Sequence, residues 1–155
     1  MSSLRVRALD ASDAASARAV VRTRFGETQY CARILEQLDV ALTRRNPEYA
    51  GLVVADSVRS NVLGVLLFGP LSGTSGVVKI HALAGAEVEL MMALLDSLLA
   101  ASAERADRTF VCEIADDVPY VSVSGALTGR AFTREGRIED YVRDGIALDI
   151  LVWRS

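Results

Sequence analysis

The sequence predicts an α/β domain: a central mixed, twisted sheet of about seven strands flanked by four helices. Three observations carry that expectation. Residues 77–83, Val-Val-Lys-Ile-His-Ala-Leu, are a β-rich run. They pass through Ala84-Gly85-Ala86 directly into a long helical pattern that starts at Glu87 and reaches about Ala106. Two apolar runs, 52–55 and 62–68, flank a polar turn at 56–61 and read as a hairpin. A closing pair of runs, 136–143 and 146–153, is joined by Asp144-Gly145, a strong hairpin signal that calls for φ > 0 at both turn positions.

The chain opens with a strand over 4–9, where Leu4, Val6 and Ala8 alternate with arginines and predict one buried and one wet face. Asp10 or Ser12 offers an N-cap and Asp13 adds negative charge to the first turn of an Ala-rich helix. That helix runs to Phe25, with Gly26 as its stop. A second helix starts near Gln29 or Tyr30, with a stripe of Cys31, Ile34, Leu35, Leu38, Ala41 and Leu42. Arg33, Glu36, Gln37, Arg44 and Arg45 form its solvent face, and Asn46-Pro47 ends it. The hairpin follows, then a Gly-Pro break at 69–73, then the strand and long helix. On that helix Val88, Met91, Met92, Leu95, Leu98 and Leu99 predict the buried stripe, opposite Glu89, Ala93, Asp96, Ala100 and Glu104. A strand at 108–114 and a weaker helix, started by Asp116-Asp117-Val118-Pro119 and ending near Gly129, precede the final hairpin. There Ile146, Leu148, Ile150 and Val152 are expected inward, leaving Leu151 and Trp153 as an apolar patch on the other face. Such a patch predicts a homodimer.

At 155 residues the chain is one domain's worth, and 51% hydrophobic residues suffice for a sizeable core. A net charge of −3, with no long Lys/Arg run, excludes a general nucleic-acid binder. No segment reaches the ~18 apolar residues of a membrane span and no signal core opens the chain, so a soluble, cytoplasmic protein is expected. Cys31 and Cys112 lie in no metal-ligand spacing and read as buried thiols in a reducing compartment.

The element order is β-α-α-β-β-β-α-β-α-β-β. Together with residues 131–145, Ala-Phe-Thr-Arg-Glu-Gly-Arg-Ile-Glu-Asp-Tyr-Val-Arg-Asp-Gly, it resembles the GNAT N-acetyltransferase superfamily, whose domain closes with a "GF…EG…DY…DG" segment. The resemblance spans nearly the whole chain. It implies acetyl-CoA in a splay between the fourth and fifth strands and transfer of its acetyl group to the amine of a small molecule or peptide. By the same resemblance, His81, Ala82 and Leu83 on the strand and Ala86, Glu89 and Met91 at the helix start are the positions that meet the cofactor. The family's pyrophosphate loop reads Gln/Arg-x-x-Gly-x-Gly/Ala; its three motif positions here are Ala86, Glu89 and Met91, none of which matches, so weak or no acetyl-CoA binding through the pyrophosphate is expected. The family's leaving-group tyrosine falls on Leu127 and the glycine of its GF pair on Ala131.

Three candidates for the chemistry follow. Glu113 alternates away from Phe110, Cys112 and Ile114, so it either faces the splay, as a general base through water, or is a solvated or salt-bridged strand position. His81, the one histidine, is either a cleft base or a packed strand residue. Tyr120, at the start of the fourth helix, is either a substitute for the missing tyrosine or an ordinary helix-end aromatic. Three functional readings follow: an acetyl-CoA-dependent N-acetyltransferase, a catalytically degenerate domain acting as a binding module or partner subunit, and an unrelated α/β domain.

Overall fold

The computed structural model describes residues 3–44, 46, 48–71, 73–74, 76–103 and 108–155. Its strands are β1 (Leu4–Ala8), β2 (Ala50–Asp56), β3 (Val62–Pro70), β4 (Val77–Gly85), β5 (Thr109–Ala115), β6 (Thr133–Arg143) and β7 (Ile146–Arg154). Its helices are α1 (Ala14–Phe25), α2 (Tyr30–Thr43), α3 (Val88–Ser102) and α4 (Val121–Gly129), with 3₁₀ turns at Ala11–Asp13 and Val118–Tyr120 leading into α1 and α4. The strands form one sheet in the order β1-β2-β3-β4-β5-β7-β6. Every neighbouring pair is antiparallel except β4 and β5, which run parallel. Helices α1 and α2 pack together, as do α3 and α4, and both pairs reach the central strands. Strands covered on both sides bury both of their alternating rows, which is why β3 is an almost unbroken apolar run and Val65, Leu66 and Leu67 are all inaccessible.

Local chemistry sets two of the four helix starts. Asp10 caps the first 3₁₀ turn by accepting the Ser12 N–H, while the Asp13 carboxylate accepts the Asp10 N–H in return, a reciprocal capping box. Asp117 caps the second by accepting the Val118 N–H, with Pro119 tolerated in the first turn. Helix α1 ends on a right-handed Gly26, whereas the left-handed stop stands after α2, at Arg44 with φ 50°. Pro47, which was expected to end α2, lies outside the described residues, as do Arg45 at its end and Glu104 and Ala106 at the end of the α3 pattern.

Several expectations are corrected. Strand β1 is an edge strand, so Leu4 stays half exposed, and the Arg7 guanidinium is instead drawn in by two 2.7 Å bonds to the buried Asp13 carboxylate. Helix α3 is rotated from its predicted stripe: Leu90, Met91, Leu94, Leu95 and Leu98 are buried, and Val88, Met92 and Leu99 flank them. The helix is apolar over more than half its circumference, so its periodicity defined a wide face rather than a single seam. At the closing hairpin Gly145 (φ 80°) is left-handed but Asp144 is not. The second left-handed residue is Asp140 (φ 51°), whose carboxylate accepts the Gly145 N–H while the β6–β7 register breaks between Ile138 and Arg143. Leu151 is buried, and Trp153 packs edge-on against Phe110 at 5.6 Å, so the patch expected to drive dimerisation belongs to the chain's own core.

Candidate functional site

The site is set by the one parallel pair. Strands β4 and β5 are paired from Val77↔Thr109 to Ile80↔Cys112 and then part, although β4 continues to Gly85 and β5 to Ala115. Their facing edges over 81–85 and 113–115 have no strand partner across the gap, and such backbone groups require water, side chains or a ligand. The divergence expected from the sequence near Leu83 and Ile114 is present. A cavity of about 330 Å³ opens here, between the parted strands, α2 and the β6–β7 hairpin.

Three sequence candidates line it together. Glu113 Oε2 lies 2.8 Å from the Lys79 ammonium, so the carboxylate is held across the strand gap. His81 stacks on Tyr49 with ring centroids 4.9 Å apart and planes 27° from parallel, and its buried Nε2 has no hydrogen-bond partner. Burial pushes its pKa down to about 4, with the positive charges of Lys79 and Arg33 acting in the same direction, so the ring is neutral at pH 7. Tyr120 ends the 3₁₀ turn that Asp117 caps, with its ring 5.2 Å from Phe25 and 4.9 Å from Tyr30. Burial raises its pKa, so the phenol keeps its proton. The Tyr30 hydroxyl donates to Asp117 Oδ2 at 3.0 Å, and Arg143 approaches the same oxygen at 3.5 Å.

The positions implied to meet acetyl-CoA divide by burial. Ala82 and Leu83 are buried on the parted stretch of β4. Ala86 and Glu89 are exposed at the start of α3, where Glu87 is the N-cap residue and no side chain caps the helix. Met91 is fully buried beneath the sheet, and a Cβ on Gly85 would lie 3.1 Å from its Cγ. Leu127 is likewise inaccessible. Cys112 is encased, which pushes its thiol up to about 12 and leaves it unreactive. Among the described residues no group of His, Cys, Asp and Glu side chains could hold a metal ion, and no helix is long and apolar enough to cross a membrane.

Lys79, Arg33, Gln29, Gln37, Tyr30 and Tyr141 also line the cavity and were not singled out from the sequence. Lys79 carried a signal, a charge between Val78 and Ile80 on a central strand. Arg33 carried none, because a cation on the wet face of a helix looks the same whether it meets solvent or a site.

No protein-family model matches the chain, and no curated protein matches it. Solved structures do. A protein of Desulfovibrio desulfuricans assigned to the GNAT acetyltransferases is 19% identical with a TM-score of 0.82, covering 98% of this chain and 99% of that one. The aminoglycoside 6'-N-acetyltransferase of Enterococcus faecium is 12% identical with a TM-score of 0.74, covering 97% and 96%. A Salmonella typhimurium protein solved with its cofactor acetyl-CoA is 15% identical with a TM-score of 0.73, covering 97% and 93%. With solved structures of this fold matched over nearly the whole of both chains, and with the parallel pair splayed at its centre, the chain has the fold of the GNAT acetyltransferases.

Proposed function

We propose that the protein is an N-acetyltransferase that moves the acetyl group of acetyl-CoA to an amine. The observation that carries the proposal is the parting of β4 and β5 after Ile80 and Cys112 beside a cavity in which Glu113 is the one carboxylate among the described lining residues. Acetyl-CoA fits this site at its thioester end, where the unpaired edges of β4 and β5 offer N–H and C=O groups to the amides of the pantetheine arm. Its diphosphate end meets a mixed setting: α3 begins with no side-chain cap, yet the exposed Glu87 and Glu89 stand in or beside its first turn. The donor is therefore held mainly through its arm.

Acetyl-CoA supplies the acetyl group activated as a thioester. Glu113 attracts the acceptor ammonium and takes the proton that its nitrogen sheds, directly or through one water. Lys79 fixes that carboxylate at 2.8 Å. His81 is neutral and stacked on Tyr49, and with its unpartnered Nε2 it serves as a hydrogen-bonding wall. With its raised pKa, Tyr120 offers the departing sulfur a hydrogen bond rather than a proton. A thiolate of ordinary pKa, about 8.5, leaves without full protonation.

Two measurements test the reading: the melting temperature with and without acetyl-CoA, and thiol release from acetyl-CoA across a panel of amines. Amine-dependent release that falls at least about 100-fold in Glu113→Gln supports it. Absence of both the shift and the release overturns it. That outcome would favour a catalytically degenerate binding domain, to which the buried Leu127, in place of the family's tyrosine, and the two glutamates at α3 also point.

A further inference from the structure

We infer that the acceptor is a small amine that also carries a carboxylate, bound through Arg33. The inference rests on the acetyltransferase reading for the chemistry and on the cavity's charge for the substrate class. The lining side chains that bear charge are Arg33, Lys79 and Glu113, with His81 neutral. Lys79 is paired with Glu113 through Oε2 at 2.8 Å, which leaves Oε1 of that carboxylate for the acceptor ammonium. Arg33 has no ion-pair or hydrogen-bond partner among the described residues, so the cavity presents one uncompensated cation.

The placement of that cation follows from the helix. Gln29, Arg33 and Gln37 are spaced four residues apart, so they form a single row along α2, and all three line the cavity. The row contains one guanidinium, two amides and no acid. The acids of α2 lie elsewhere: neither Glu36 nor Asp39 lines this cavity, and Asp39 accepts from Arg18 on α1. A planar fork flanked by amide donors matches a carboxylate, which it can bind through two parallel N–H···O bonds. Arg33 is itself exposed, so it stands at the rim of the cavity, and its charge acts electrostatically on both His81 and Tyr120.

Size and polarity agree. At about 330 Å³ the cavity is at the small end of ligand sites, which suits an acceptor of amino-acid size. Such a molecule spans the site with its charges matched: ammonium to Glu113, carboxylate to Arg33. The unpartnered Nε2 of His81 remains for a further polar group. The transfer balances with nothing added. The ammonium loses one proton to Glu113 before its nitrogen attacks and a second as the C–N bond forms, both passing on to solvent; the C–S bond breaks, and the sulfur leaves as CoA thiolate, which takes one proton back from solvent.

The experiment compares L-amino acids with their amides, which keep the amine and lose the anion, as acceptors in the thiol-release assay. Wild type is expected to prefer the acids by about tenfold or more in kcat/KM, the scale of a charge-assisted pair. In Arg33→Gln that ratio falls to near one, and in Arg33→Lys part of it returns. Equal use of acids and amides, a preference that survives Arg33→Gln, or a preference for polycationic acceptors overturns the inference. A calorimetric arm decides it even if no acceptor supports turnover. N-acetylglycine binding more tightly than N-acetylglycinamide, with the difference lost in Arg33→Gln, supports the carboxylate site although the transferase reading has failed. Equal or absent binding of the two sinks it.

Discussion

The Lys79 ammonium lies 2.8 Å from Glu113 Oε2, linking β4 to β5 at the end of their shared ladder. The last paired residues are Ile80 and Cys112, so the ion pair spans the point where the strands begin to part. It is partly open to solvent, and such pairs contribute about 0.2–1 kcal/mol. Glu113→Gln should therefore shift the melting temperature by no more than a few degrees while lowering kcat by about 10²–10⁴. A large stability loss with activity intact, seen by calorimetry and thiol release on the same sample, would make the pair purely structural.

His81 gives the protein a pH signature. Its pKa in the fold is about 4, against about 6.5 when unfolded, so the unfolded chain binds the extra proton. The stability it contributes is fully present above about pH 6.5 and declines as pH falls towards 4. The ring is only half-buried, so the loss should be about 1–2 kcal/mol rather than the full value of the shift. Urea midpoints at pH 4.5 and 7 for wild type and His81→Gln should show a smaller pH effect in the variant. An imidazole that titrates near 6.5 by NMR would contradict the placement.

Asp13 is the buried carboxylate that secures the N-terminal edge. It accepts two bonds of 2.7 Å from Arg7 and one of 2.8 Å from the Asp10 N–H, and the Arg7 bonds above all hold its pKa below the usual range. Asp13→Ala should cost about 2–3 kcal/mol, combining a charge-assisted pair with a helix cap. The stability from Asp13 is present above the unfolded carboxylate pKa, about 3.9, and is lost as pH falls through the lower folded value. Denaturant titration of the variant at pH 7 measures the cost; a change under about 0.5 kcal/mol would mean that solvent replaces the bonds freely.

Acetyl-CoA affinity should rise when the charge at the start of α3 is removed. Glu87→Gln with Glu89→Gln is expected to tighten binding by about tenfold at low ionic strength, and by less in high salt, because exposed like charges are screened. Met91 is left in place, since Met91→Gly would open a cavity under the sheet costing about 2–5 kcal/mol. Calorimetric titration that shows micromolar binding by the native chain, unchanged in the double variant, would refute the repulsion argument.

Element identity was legible along the chain because it depends on neighbours in sequence. Alternation marked the strands, the Asp10 and Asp117 caps marked two helix starts, and the passage from residues 77–83 into α3 marked the central unit. Glu113, His81 and Tyr120 could be named as candidates because each is a polar or amphipathic residue at a readable position on its element, and the structure brings all three to one cavity. What meets what was decided by the tertiary structure. Periodicity shows which residues share a face, but not which face is covered. Leu151 and Trp153 were therefore expected at the surface, although the far side of β7 is packed and Trp153 lies against Phe110. The same reason hid Arg33, an ordinary solvent-face residue by sequence, until α2 was laid across the splay with Gln29, Arg33 and Gln37 in a row over it. The rotation of α3 towards Leu90 and Leu94 and the pairing of Lys79 with Glu113 across 34 residues also depend on non-local packing. Burial and charge pairing are properties of two surfaces in contact, and the sequence lists each surface separately.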